Sequence, residues 1–231
     1  MQAELIARAR AVKGFMPDDE GLALYQAGLR GARTGLGSLL EVGTYCGKSA
    51  IYLGAAAREG GAMLVTVDHH RGSAENQPGW EHHDPSVVDT RTRRMDTLPF
   101  ARRAIEEAGL ESHVVLVVGT SASVAAIWAA PLAFLFIDGG HGQDAAWADY
   151  RAWTPKVAAG GYLAIHDVFP DPADGGRPPY ELYRAALGSG DWLEEECLGC
   201  GSLRVLRRPE QSAAARQIGV AQGQAKSDQA Q

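Results

Sequence analysis

Residues 39–51 read LLEVGTYCGKSAI. An apolar run with one acid, Glu41, passes through Gly43 and Gly47 into a helix-forming segment that carries Ser49 in its first turn. The pattern predicts a strand over Leu39–Thr44, a glycine turn and a helix over Lys48–Arg58. Glycines at such a turn let a ligand approach the backbone, and the unpaired amides at the following helix start face the same crevice. A nucleoside-type cofactor suits that crevice, and Glu41 is placed to accept from an amine or a hydroxyl there. Two glycines in a tight turn are also an ordinary structural feature, so the rest of the chain has to decide.

Downstream, the run Ala62–Val67 has strand character and ends on Asp68. An acid at the tip of the second strand is where alpha/beta nucleotide folds hold a ribose by its hydroxyls. Strand and helix then alternate. Helix Phe100–Ala108 leads to strand Val114–Val118 and its Gly119-Thr120-Ser121 ending. Helix Ser121–Ala129 and strand Leu132–Ile137, ending in Asp138, come next. Helix Gln143–Val157, strand Tyr162–Ile165 with His166 and Asp167 at its tip, and helix Pro179–Leu187 complete the series. Five such alternations predict a parallel sheet covered by helices on both faces. The runs Trp192–Cys197 and Ser202–Leu206 are joined by only Leu198–Gly201, too short for a helical crossover, so they form an antiparallel hairpin. The expected fold is therefore Rossmann-like alpha/beta, with a seven-stranded, mostly parallel sheet and one reversed strand from the C-terminal hairpin.

Organisation follows from composition. The chain has 231 residues, 45% of them hydrophobic, and its formal net charge is −6. That length suits one core and a single domain over residues 1–208, with N-terminal helices within 1–34. The acidic balance offers no footprint for nucleic acid or an anionic membrane, no apolar run reaches membrane length, and the N-terminus lacks a signal-peptide core. The cytoplasm is the expected compartment, and the three cysteines make no disulfide framework. Residues 69–98 break the alternation with a polar stretch that holds Trp80 and four of the seven histidines. It reads as a substrate-facing lid, against the alternative of a solvated excursion. Residues 209–231 are polar and Ala/Gln-rich and read as a disordered tail.

In an open alpha/beta sheet the chemistry sits outside the carboxyl ends of the strands. Glu41, Asp68, Ser121, Asp138, His166 and Asp167 all fall at such ends. Asp138, His166 and Asp167 would meet if the fourth and fifth strands are neighbours, and two carboxylates with an imidazole suit a divalent cation. His141, in IDGGHGQ, stands where it could turn to the same rim as a general base, although a lone histidine is more often a satisfied polar group. The pair Cys197 and Cys200 has zinc spacing but lacks two further ligands and sits on the hairpin turn. Cys46 reads as a packing residue.

Taken together, EVGTYCGKS, the acid after the second strand, GTS, IDGGH and IHDV resemble the class I S-adenosylmethionine-dependent methyltransferases over roughly Leu39–Leu206. The first string is similar to the catechol O-methyltransferase motif. IDGGH and IHDV are similar to the cation-dependent branch that contains macrocin-type sugar O-methyltransferases and a cephalosporin hydroxylase. The resemblance implies that Glu41, Gly43, Tyr45, Gly47 and Ser49 surround the methionine part of S-adenosylmethionine, Asp68 its ribose, and Thr120 and Ser121 its adenine edge, with Asp138 beside it. It also implies a divalent cation, magnesium above others, on Asp138, His166 and Asp167, with His141 as the base. The acceptor is then a hydroxylated small molecule or a saccharide, the polar 69–98 stretch favouring the saccharide. The chain departs from the family at His166, where relatives usually carry an acid, which leaves His166 open as the base or as a group behind the ligands, and at His141, where relatives use Lys, Asp or His. A different reaction on the same fold, a cofactor-binding protein without turnover, and a homo-oligomer all stay open.

Overall fold

The computed structural model describes residues 1–73, 76–77, 79, 83–140, 142–171 and 173–210. The expectations for Trp80, His82, His141 and residues 211–231 lie outside the described residues. Helices α1 (Ala3–Ala11) and α2 (Asp18–Ala32) precede β1 (Ser38–Val42), α3 (Lys48–Gly60) and β2 (Leu64–Asp68). After residues 69–97 come α4 (Leu98–Glu107), β3 (Val114–Val118), α5 (Ser121–Ile127), β4 (Leu132–Ile137) and α6 (Gln143–Trp153). The chain then forms β5 (Val157–Ile165), α7 (Arg177–Ser189), β6 (Leu193–Glu194) and β7 (Arg204–Arg207).

The seven strands lie in the order β3-β2-β1-β4-β5-β7-β6. β7 runs antiparallel to both β5 and β6, so it is the single reversed strand, as the short hairpin connection requires. Strand order reverses between β1 and β4, which places the crevice of an open alpha/beta sheet at their carboxyl ends. One apolar layer joins α1, α2 and α3 to the sheet through Leu24, Tyr52, Leu53 and Phe134, all fully buried. The opposite layer joins α6 and α7 through Trp153, Leu182 and Ala186. β1 and β4 are covered on both sides, which is why they read as continuous apolar runs rather than alternating ones.

Local chemistry shifts several expected boundaries. α6 stops at Trp153 and a 3-10 turn over Thr154–Lys156 carries the chain into β5, because Pro155 cannot donate to an α-helical ladder. β5 starts five residues before the expected Tyr162: Val157 pairs with Leu132 of β4, the register then shifts, and Gly160 and Gly161 bond Arg208. In the hairpin, β6 holds only two residues and a 3-10 turn takes Glu196–Leu198.

The segment after β2 is not a structureless excursion among its described residues. A 3-10 turn over Pro85–Val87 and a bridge between Val88 and Met95 fold it back on itself. Val87 and Met95 are buried against Cys46, beside Tyr45 and Phe100. Lys13, between α1 and α2, pairs with Asp84 at 2.6 Å and also bonds the Ser86 hydroxyl. The N-terminal arm thus fastens the segment over the glycine turn, a tie between residues 71 positions apart.

Candidate active site

The glycine turn that follows β1 is shaped by close backbone contact. Gly43 has φ of 99°, and a Cβ there would lie 2.2 Å from the carbonyl oxygen of Asp138. Glycine is therefore required for the end of β1 to lie flush against the end of β4. Tyr45 adopts φ of 46° and Gly47 φ of 92° before α3 begins. No side chain caps α3 at Gly47, so its first amides remain for a ligand.

Asp68 closes this turn from β2. One carboxylate oxygen accepts the amides of Thr44 at 3.0 Å and Tyr45 at 2.9 Å, while the other accepts the amide of His70 at 2.7 Å. The residue expected to hold a ribose is thus also the clamp that fixes the backbone of the glycine turn. His70, buried and at φ of 59°, bonds the Thr97 hydroxyl through Nδ1, and its Nε2 meets no hydrogen-bond partner among the described residues.

Glu41 is fully buried between β2 and β4. Its Oε2 accepts the Thr66 hydroxyl at 2.5 Å, and Thr66 in turn bonds Thr44. Oε1 makes no hydrogen bond within the usual distance among the described residues, with Ser49 nearby. Burial pushes the carboxyl up to about 8, with Asp138 and Asp68 adding to the rise, and nearby Ser49 and Thr66 only temper it. A carboxyl held this way takes up a proton in the empty site and becomes an anion when a cation arrives.

The third group is the rim at the ends of β4 and β5. His166, only 4% exposed, donates through Nε2 to Glu20 at 2.5 Å. Its Nδ1 lies 3.1 Å from Asp138 and 3.3 Å from Asp167. Burial by itself lowers the pKa of such a ring, but the charge of Asp138 and hydrogen bonds to Asp138, Asp167 and Glu20 raise it well above the ordinary imidazole value. Asp167 sits at φ of 56°, a left-handed conformation that aspartate tolerates better than most side chains. One ligand atom from each of Asp138, His166 and Asp167 falls within 4.8 Å of the others. An imidazole nitrogen and two carboxylate oxygens form a coherent donor set, so these residues fit a divalent ion.

Glu20 is the residue that sequence reasoning missed. It belongs to the Asp18-Asp19-Glu20 run that reads as acids favouring a helix N-terminus. Instead it is buried, accepting the amide of Ser202 at 2.5 Å and its hydroxyl at 3.1 Å in addition to His166. Burial opposes its ionisation, yet the bonds from His166 and Ser202 hold its carboxyl below the usual range. Gly201, with φ of 54°, leaves the space: a Cβ there would lie 2.0 Å from Glu20 Oε1. The Cys-Leu-Gly-Cys-Gly hairpin thus serves a buried carboxylate, and all three cysteines are free.

Two other expected residues have structural duties. Thr120 caps α5, accepting the Ser123 amide at 3.3 Å. The Ser121 hydroxyl accepts the indole N–H of Trp153 at 2.7 Å, tying the end of β3 to α6. In the post-β2 segment Arg71, Asn76, His83, Arg93 and Met95 line a cleft of about 580 Å³, within the range of small-molecule pockets. The segment also packs on the loop after β4, since a Cβ on Gly140 would lie 2.6 Å from that of Ser73.

The fold has many solved likenesses. It superposes on the SAH-bound Podospora anserina methyltransferase PaMTH1 with a TM-score of 0.59 at 16% identity, covering 91% of this chain and 89% of that one. The O-methyltransferase TomG from Streptomyces achromogenes, solved with SAM, gives 0.57 at 18% identity over 90% and 91%. The apo TDP-rhamnose 3'-O-methyltransferase of calicheamicin biosynthesis gives 0.58 at 16% over 88% and 93%. The sequence profile of one family, described as "Methyltransferase domain", matches residues 40–168, more than half of the chain and the whole span from the glycine turn to the Asp167 rim. The chain belongs to this methyltransferase family.

Proposed function

We propose that this protein transfers a methyl group from S-adenosylmethionine to a hydroxyl of a small molecule, in a reaction that depends on a divalent cation. The observation that carries this reading is the meeting, at the reversal point of the sheet, of a ligand-ready glycine turn with the Asp138–His166–Asp167 rim. The likeness to O-methyltransferases, one of them solved with SAM, supports the donor and the oxygen acceptor.

Glu41 would take the cationic amine of the donor on Oε1, and the uncapped amides of α3 would serve its carboxylate. Asp68 keeps acceptor capacity for the ribose hydroxyls beyond its three amides, because each carboxylate oxygen offers about two sites. Asp138, His166 and Asp167 hold the cation. When bound, the donor supplies the methyl as a sulfonium and the cation acidifies the acceptor hydroxyl; the C–O bond forms as the C–S bond breaks and its electron pair stays on sulfur. His141 is the proposed base that removes the hydroxyl proton, from its place in IDGGH. Orienting the two reactants supplies most of the acceleration.

The cleft of the post-β2 segment suits a polyhydroxylated acceptor such as a saccharide. Its wall of Arg71, Asn76, His83 and Arg93 offers hydrogen-bond donors rather than a flat apolar slot. Calorimetric titration with S-adenosylmethionine and S-adenosylhomocysteine tests the donor. Incubation with a panel of saccharides and phenols, with added cations or with chelator, then tests the reaction by mass spectrometry. Binding of both nucleosides with methylation lost in chelator is expected; no binding of either overturns the proposal.

A further inference from the structure

Glu20 supplies chemistry beyond this reading. A buried carboxylate that bonds the far nitrogen of a rim histidine has no part in the donor site or the acceptor cleft. It lies on α2, outside the strand-end motifs, and the Ser202 turn holds it by two hydrogen bonds. Those two donors favour Glu20 as the carboxylate, which can only accept, so the proton of the His166 contact sits on Nε2. The remaining ring nitrogen, Nδ1, then faces Asp138 and Asp167. A histidine whose outer N–H is held by a carboxylate is the arrangement that fixes a metal-binding tautomer and raises the basicity of the ligating nitrogen. The spacing agrees. Neighbouring ligands on a six-coordinate ion with bonds of about 2.1–2.2 Å lie about 3.0–3.1 Å apart, against 3.1 and 3.3 Å from Nδ1 to the two carboxylates.

We propose that Glu20 is a positioning residue that fixes His166 with Nδ1 toward Asp138 and Asp167, and that this nitrogen-and-oxygen set takes a late first-row divalent ion, cobalt, nickel or zinc, in preference to magnesium. The inference rests on the cation reading above and changes its metal. Magnesium favours oxygen ligands and dehydrates reluctantly, whereas imidazole suits the later ions, whose affinities rise along the series to copper. The rim sets one imidazole nitrogen beside two carboxylate oxygens, a mixed donor set that shifts preference in that direction.

The test is calorimetric titration of the apo protein with Co²⁺ and with Mg²⁺, in the wild type, Glu20→Gln and His166→Asp, with S-adenosylhomocysteine binding as the control for an intact fold. The wild type is expected to bind Co²⁺ at least about tenfold more tightly than Mg²⁺. Glu20→Gln is expected to weaken Co²⁺ about 10–100-fold while leaving Mg²⁺ nearly unchanged, since loss of such an outer partner has that effect on metal affinity. His166→Asp should reverse the preference. A purely structural Glu20 would lower the melting temperature without moving the Co²⁺ to Mg²⁺ ratio.

Equal or tighter Mg²⁺ binding in the wild type overturns the inference and leaves the cation reading standing. No binding of either ion, with S-adenosylhomocysteine still bound, sinks both. Should Glu20→Gln fail to fold, nitrogen-15 spectra of the Zn²⁺-loaded wild type decide: metal-bound Nδ1 with protonated Nε2 on His166 supports the assignment, and any other tautomer refutes it.

Discussion

Binding of the donor should depend steeply on pH through Glu41. With its carboxyl at about 8, Glu41 is roughly nine-tenths protonated at pH 7, and making it an anion for a cationic amine costs about 1.4 kcal/mol, a tenfold loss of affinity. At pH 6 the loss is about a hundredfold by the same arithmetic, and by pH 8 it falls to about twofold. The donor's own amine, with an ordinary value of about 8, loses its charge over the same range, so affinity peaks near there. Calorimetry in buffers of different ionisation enthalpy reads the event directly. Binding at pH 7 should release about 0.8 proton, a release that falls to about zero near pH 8, where proton uptake by the amine cancels it. Glu41→Gln, which keeps shape but cannot ionise, should flatten the rise between pH 6 and 8 and abolish the release. The same group acts on stability with a fixed sign. Its folded value lies above the unfolded 4.5, so its contribution is fully present below about pH 4.5 and is lost as pH rises through about 8. Glu41→Gln should therefore remove that part of the alkaline loss in the apo protein. Affinity flat from pH 6 to 8, with no proton released, would refute the reasoning.

Gly43→Ala forces a Cβ against the Asp138 carbonyl at positive φ. It should cost about 3 kcal/mol or more, lowering the melting temperature by about 6–12 °C in thermal denaturation. Asp138→Ala and Asp167→Ala should abolish methylation while S-adenosylhomocysteine binding persists; full turnover of either in chelator would exclude the cation role. Lys13→Ala breaks a partly exposed ion pair with Asp84, so global stability should change by less than about 1 kcal/mol. Limited proteolysis within residues 69–97 should nonetheless accelerate several-fold, because that contact fastens the segment to the N-terminal arm.

The fold and half of the site were legible because they are local in sequence. A period switching between strand and helix, glycines at a strand end and acids at strand tips all report on neighbours a few residues away. From these the sequence by itself determined the sheet, its one reversed strand and the candidate rim of Asp138, His166 and Asp167. The boundaries that moved did so for tertiary reasons: β5 lengthened because Val157 pairs with Leu132 of β4 and its glycines bond Arg208, and the post-β2 segment gained order from Cys46 and Lys13. Asp68 and Ser121 read as ligand contacts, yet the structure also gives them backbone and core partners that no local pattern encodes.

Glu20 marks the limit most clearly. Within its own helix it is an acid in a favourable first turn, indistinguishable from Asp18 and Asp19. Only packing of α2 across the sheet brings it to His166, 146 residues away, and to Ser202, 182 residues away. A side chain's burial and its partners are set by which surfaces the chain folds together, and that information becomes visible only in three dimensions.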